Sequence, residues 1–338
     1  MAVNLADADV LPDDGQVAVP RAGLAQDVAA RTGGVLRVVD AGAGWPAAAE
    51  VQGIRGPVPV SLHVGTVGLT SRGRDDVERR YQNPASCEPI TQAHGAPVLL
   101  GLWLEEGAPV LVAHDAVRRL GHGGTRVSLF VSLDALRTAR VSGWHEYKNS
   151  TGERIITLAP EMFPVLAEMI AEGCIPPEQD TRKLLAAAEA SPLDPSSVER
   201  ARRGVSVLVR DARFRHAVVE AYVGRCAMCG LGLGIVEAAH IVPASVVGST
   251  DAIENGVALC PNHHAAYDRH LILVDPSTFR IVVSPAVHGS TAPADRAFVS
   301  STFAVLHVPS DPAARPSVEM LVYRSNHFED AYRATGCI

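Results

Sequence analysis

Between positions 226 and 268 the chain concentrates residues that bind metals and move protons. It reads Cys226-Ala-Met-Cys229, then Glu237-Ala-Ala-His240-Ile-Val-Pro243, then Glu254-Asn255-Gly-Val-Ala-Leu-Cys260-Pro-Asn-His263-His264-Ala-Ala-Tyr-Asp268. Cys226 with Cys229, and Cys260 with His263, form two pairs with two residues between partners and a long loop between the pairs. Thiolate and imidazole ligands at that spacing suit a closed, tetrahedral structural zinc site. A Cys-x-x-Cys pair also occurs as a redox motif or as buried thiols, but the redox version follows a thioredoxin-like strand, and an Arg-rich helical pattern precedes this one. His240 carries a base whose ordinary pKa of about 6.5 lets it take a proton from water at neutral pH, which Lys or Arg could not do. A His among Ala residues is also a common packed core residue. His264 and Asp268 stand four apart on a predicted helix and so project from one face. The hard oxygen of Asp268 suits Mg2+ or Mn2+, although the same group could simply pair with Arg269.

In this order, the residues resemble the HNH (ββα-metal) endonuclease family, in particular its restriction-type branch, over roughly residues 210–285. The resemblance implies a hairpin and a helix that grip one divalent ion and hydrolyse a phosphodiester bond. His240 matches the general base that activates water. Asn255 matches the middle letter of the family name and would pin the hairpin loop so that His240 faces the phosphate. His264 matches a ligand of the catalytic ion, and Asp268 stands where many relatives carry a second His. Many relatives also have Asp or His immediately before the base; here that position is Ala239, so the ion would rely on His264, Asp268, water and substrate, or on an acid from elsewhere such as Glu237.

These residues need elements to hold them. Residues 197–223 read as one amphipathic helix, with Ser197 as its cap and Val207, Phe214, Val218 and Tyr222 on its apolar face, delivering the chain into Cys226. Residues 237–243 read as a short strand. Further on, 318–323 read as a closing strand and 328–332 as a short helix. Ahead of this region, 36–39, 58–64, 97–104, 109–114, 126–131 and 154–158 are short, rich in Val, Leu and Ile, and bounded by Gly or Pro, which is strand punctuation. Residues 132–141 and 160–172 read as helices. The expected fold class is therefore α+β: an N-terminal, mainly antiparallel sheet domain with helices, then a ββα-metal nuclease domain with a zinc site. The expected division is a loosely held arm over 1–33, a recognition domain over 34–175, a Pro-rich linker over 176–197 and the nuclease domain over 198–338.

A chain of 338 residues is long enough for two cores. No apolar run approaches the length of a membrane-spanning helix and the N-terminus does not read as a signal peptide, which points to a cytoplasmic protein with no membrane partner. A net charge of -7 excludes a uniformly basic coat, but Arg is dense from Arg182 to Arg225, including Arg213 and Arg215, and again at Arg72, Arg74, Arg79 and Arg80. Each cluster reads either as a phosphate-binding surface or as an ordinary solvated face.

An HNH module has little sequence discrimination of its own, so the N-terminal domain is the candidate reader of double-stranded, possibly modified DNA. Arg72, Arg74, Arg79, Arg80, Tyr81, Gln82 and Asn83 form a polar loop with the groups that read bases. Trp144 and Tyr147 lie in a second polar loop and could wall a pocket for an extruded or modified base. Both loops also read as surface turns with an aromatic plug. The expected function is a restriction-type endonuclease that depends on DNA modification, with a homodimer needed for double-strand cutting. The alternatives are a sequence-specific restriction enzyme, a ligand-activated effector nuclease, and an inactive DNA-binding module.

Overall fold

The computed structural model describes residues 20–69, 76–81, 88–105, 108–122 and 129–338. The chain divides into two compact units, Met1–Val209 and Arg210–Ile338. The first contains α1 (Arg21–Arg31), β1 (Leu36–Asp40), β2 (Ala47–Gly53), β3 (Gly56–Gly68), β4 (Glu78–Tyr81), β5 (Ala96–Glu105), β6 (Ala108–His114), β7 (Leu129–Ser132), α2 (Leu133–Ser142), β8 (Trp144–Lys148), β9 (Arg154–Leu158), α3 (Phe163–Ala171) and α4 (Glu178–Ala187). Among the described residues nine strands form one sheet, ordered β1-β2-β3-β5-β6-β9-β8, with β4 branching from β3 to pair with β7. The β3–β5 pairing is parallel, and the remaining pairings are antiparallel.

The period-two alternation of strands sends successive side chains to opposite faces. In β5, Val98, Leu100 and Leu102 enter one core with α1 and α3, while Leu99 and Trp103 enter a second core with Leu133, Leu136 and Ala139 of α2. A sheet covered on both faces explains why its strands read as unbroken apolar runs. Ser132 caps α2, its side chain accepting a hydrogen bond from the Ala135 amide.

Residues 21–31, expected in a loose arm, form α1, whose Leu24, Ala25 and Val28 are buried in the first core; residues 1–19 lie outside the described residues. The expected linker contains α4, with Leu184 and Leu185 packed on that core. Residues 144–148, expected in a loop, are β8, because their alternating side chains are matched by β9.

The division between the units falls inside α5 (Pro195–Ala221). Val198, Ala201, Val205 and Val209 belong to the first core, and Phe214 and Val218 to that of the second unit. Val207, expected on the buried face, is exposed. Asp194, not Ser197, caps the start, its carboxylate accepting from the Ser196 amide at 3.0 Å.

The second unit contains β10 (Glu237–His240), β11 (Gly256–Leu259), α6 (Pro261–Asp268), β12 (Ile272–Val274), β13 (Ile281–Val283), α7 (Pro285–His288), α8 (Pro293–Ser301), α9 (Val318–His327) and α10 (Glu329–Thr335). β10 and β11 pair antiparallel, with His240 opposite Gly256 and Glu237 opposite Leu259. Residues 318–323 are helical rather than a strand: Ser317 accepts from the Met320 amide and starts α9. From that helix Arg324, 1% exposed, reaches into the core. It donates to the Ile241 carbonyl at 2.8 Å, the Tyr267 carbonyl at 2.6 Å and the Tyr332 hydroxyl at 2.8 Å, with its guanidinium 3.7 Å above the Tyr267 ring. Three fixed acceptors and an aromatic face are what make burial of this cation tolerable. Among the described residues no helix is long and apolar enough to cross a membrane.

Candidate active site and metal centre

The turn after α5 places Cys226 and Cys229 in a tight knuckle, closed by a hydrogen bond from the Gly230 amide to the Cys226 carbonyl and fastened to β11 by one from the Ala227 amide to the Ala258 carbonyl. Cys260 precedes Pro261, which starts α6, and His263 lies in the first turn of that helix. Ligand atoms of Cys226, Cys229, Cys260 and His263 all lie within 4.8 Å of one another. His263 Nδ1 is 3.2 Å from Cys260 Sγ and 3.8 Å from Cys226 Sγ, and the Cys229 and Cys260 sulfurs are 3.9 Å apart. A tetrahedral ion with ordinary zinc–sulfur and zinc–nitrogen bonds needs such atoms about 3.5–3.8 Å apart, so the four fit one ion. Burial pushes the Cys226 thiol up to about 12 and the His263 imidazole down to about 4. The His is thus neutral and ready to ligate at neutral pH, while a bound cation is what would favour the thiolates. Thr302, which the sequence reading missed, sits 2.9 Å from His263 Nε2 and fixes the ring with Nδ1 toward the sulfurs.

The hairpin and α6 build the second group. His240 ends β10 with its ring stacked on Phe214 of α5, centroids 3.9 Å apart and planes 14° from parallel. Its Nε2 is 3.2 Å from Asp251 Oδ1. Asn255, fully buried, accepts from the Val242 amide at 2.9 Å and donates to the Thr250 carbonyl at 2.8 Å and the Val242 carbonyl at 3.2 Å. It therefore ties the loop leaving His240 to the strand that returns. The Asn-Gly pair is not merely a turn signal: a Cβ on Gly256 would sit 2.2 Å from Val218 Cγ2 and 3.1 Å from the Phe214 ring. Only Gly lets α5 lie this close beneath the hairpin.

His264 and Asp268 do share a face of α6, with His264 Nε2 3.5 Å from Asp268 Oδ2. His264 Nδ1 is 2.7 Å from Glu237 Oε2, so Glu237 joins the group across the hairpin. His264 and Asp268 line a cleft of about 290 Å3 together with His240, Phe214, Asp211 and Arg215. On their other side they line a second cleft of about 450 Å3 with Glu237 and Arg269. An imidazole flanked by two carboxylates is a donor set that suits a hard divalent ion. Asp251 and Phe214 carried no motif signal, since an Asp in a Gly/Ser/Thr-rich loop and a helical Phe look ordinary until the fold sets them against His240.

Residues 226–275 match the family model described as HNH endonuclease. This segment is an HNH endonuclease domain. HNH nucleases use a divalent metal ion, and the HNH domain here presents the hairpin, helix and Cys/His cluster just described. Residues 59–166 match a second family model, described as Methylase-associated X1. A solved structure described as a modification-dependent TagI restriction endonuclease is 14% identical, covering 74% of this chain and 75% of that one, with a TM-score of 0.28; a likeness that slight carries no weight for either fold or specificity. No curated protein matches the chain.

The expected reader residues are distributed differently from the HNH residues. Arg72, Arg74, Gln82 and Asn83 lie outside the described residues. Arg79 and Arg80 are in β4, held between β3 and β7, with Arg79 buried and Arg80 half-buried. Tyr81, expected to stack on a base, is instead wholly buried, edge-on to His114 and donating its hydroxyl to the His63 carbonyl at 3.3 Å. Trp144 and Tyr147 do not share a pocket: three residues apart on β8, they face opposite sides of the sheet, Trp144 toward the first core and Tyr147 toward the second. The Tyr147 hydroxyl accepts from the Ser132 amide at 2.9 Å, which commits it to the start of α2. Arg213 and Arg215 are exposed on α5, Arg215 at the His240 cleft.

Proposed function

We propose that the protein is a restriction-type DNA endonuclease whose cutting depends on modification of the DNA, with the first unit reading the duplex and the HNH domain hydrolysing it. The observation that carries this reading is His240, held between Phe214 and Asp251 at a cleft that His264 and Asp268 also line. The Asp251 carboxylate beside Nε2 favours the tautomer with its proton there, which leaves Nδ1 to accept a proton from the attacking water. Asn255 keeps the loop after His240 in place during that transfer. His264, Asp268 and Glu237 would hold Mg2+ or Mn2+, and such an ion, when bound, polarises the phosphate and stabilises the departing oxygen. Arg215, which lines the same cleft, supplies positive charge for the phosphate backbone. Cys226, Cys229, Cys260 and His263 would hold a structural zinc ion that sets the knuckle against α6. One such cleft acts on one strand, so two copies of the chain would make a double-strand break, in the cytoplasm where the DNA lies.

The Methylase-associated match supports a role beside DNA methylation. It equally favours a second reading, a sequence-specific restriction enzyme whose own genome is protected by a methylase. Plasmids with and without base modification, incubated with Mg2+ or Mn2+, separate the two readings. Cutting confined to modified DNA supports modification dependence, and cutting confined to unmodified DNA supports the second reading. If neither plasmid is nicked, or if His240→Ala nicks as fast as the wild type, the nuclease assignment of these residues fails.

A further inference from the structure

We propose that the first unit holds a separate site for a nucleobase, in the cavity lined by β8 and α4. This goes beyond the nuclease reading and does not rest on it. The cavity measures about 550 Å3, inside the range of small-molecule sites, about 300–1,000 Å3. Its walls include the Trp144 ring, Met162, Leu185 and Ala186, and its polar side carries Glu146.

Two features of the walls point to a ligand. The Glu146 side chain is only 4% exposed. Arg154 takes its Oε2, while among the described residues Oε1 has no hydrogen-bond partner, and neither has Trp144 Nε1. A buried polar atom left unsatisfied costs about 1–3 kcal/mol, and two of them on residues lining one cavity need an explanation. Neither atom is open to solvent, so a rotation of the carboxyl or of the indole is what brings each onto a ligand. Arg154 already balances the carboxylate charge, so Oε1 is suited to a neutral N–H rather than to a second cation. The indole N–H needs an acceptor.

A nucleobase supplies both along one edge, and its flat face suits the half-buried Trp144 ring. Arg182, which also lines the cavity, offers donors for the phosphate that follows a base. The base could arrive on a free nucleotide or be extruded from a duplex. The chemistry of recognition is the same, and the two sources are told apart by experiment.

The test uses the full chain and calorimetric titration with two probes: each of the four deoxynucleoside 5′-monophosphates, and a short duplex with one mismatched, easily extruded base. Tryptophan emission is recorded in parallel. Ala186→Phe fills the cavity from the α4 side and leaves Glu146 itself unsubstituted, and Trp144→Phe removes the indole N–H and shrinks the stacking face. Saturable binding of a monophosphate, weakened at least about tenfold in both variants, assigns the site to a free nucleotide. Preference for the mismatched over the matched duplex, lost in both variants while matched binding is kept, assigns it to an extruded base. The proposal is overturned if neither probe gives binding that the variants weaken, provided their circular dichroism matches the wild type.

Discussion

Replacing Asn255 tests how the hairpin holds His240. In Asn255→Ala the buried Val242 amide loses its acceptor, at a cost of about 1–3 kcal/mol for an orphaned donor, and the Thr250 carbonyl loses its donor, for about 1 kcal/mol more. The Val242 carbonyl keeps the Ser249 hydroxyl at 2.7 Å, so it adds little. The expected loss is about 2–4 kcal/mol, a large share of the 5–15 kcal/mol typical of a domain. Asn255→Asp sharpens the test. It preserves shape and the acceptor but turns a carboxylate oxygen toward the Thr250 and Val242 carbonyls, and should cost at least as much as Ala. All three tryptophans, Trp45, Trp103 and Trp144, lie in the first unit. Their emission therefore reports that unit, while far-UV circular dichroism reports both. In urea, the dichroism transition of the variants should move to lower denaturant and the emission transition much less. At a temperature where both variants remain folded, plasmid nicking should fall at least about tenfold, because the loop that aims His240 is no longer tied. A loss below about 1 kcal/mol, or an Asp variant as stable and active as the wild type, refutes the reasoning.

Gly256→Ala should destabilise the second unit by about 1–3 kcal/mol, since its Cβ meets Val218 at 2.2 Å and one side must shift; an unchanged denaturation midpoint would count against the close packing of α5 on the hairpin. Cys229→Ser should lower the zinc content of purified protein from about one ion per chain to well below that and reduce thermal stability, as should prolonged chelation of the wild type; equal metal content in the two proteins, by elemental analysis, removes Cys229 from the ligand set. The first unit should also lose stability in mild acid. Burial holds both His63 and His114 at about 4, below their ordinary value of 6.5. The unfolded chain therefore binds protons below pH 6.5 that the folded chain refuses until pH 4. Stability is complete above pH 6.5 and declines as the pH falls from 6.5 to 4, by up to about 3 kcal/mol for each His; a tryptophan-monitored midpoint that stays flat across that window argues against neutral burial.

The grouping of these side chains in the second unit was legible in the sequence because they come in short-range pairs: Cys226 with Cys229, Cys260 with His263, His264 with Asp268. Helix and turn geometry fix such pairs whatever the rest of the fold does. Asp251, Phe214 and Thr302 reach the same groups through long loops or a separate helix, and no local pattern marks them. In the first unit the apolar runs announced strands, but a sheet buried on both faces carries no alternation to say which side chain points where. This is why Tyr81 read as a surface aromatic and Trp144 and Tyr147 as neighbours. The segment at 318–323 shows the same ambiguity: a short apolar stretch suits either a strand or a helix, and the capping Ser317 decided for the helix.

Arg324 also bears on the order in which the HNH hairpin and helix can be assembled during synthesis. The carbonyls it holds belong to Ile241, next after His240, and Tyr267, next before Asp268. Every motif residue is therefore translated before the side chain that registers the hairpin against α6. A ribosome that stalls upstream of residue 324, or a protease that removes α9, leaves a polypeptide with the complete motif and no common anchor for its two halves. Registration of the hairpin against the helix in this HNH domain thus waits for a late-emerging residue, and unfinished chains carry the motif without it.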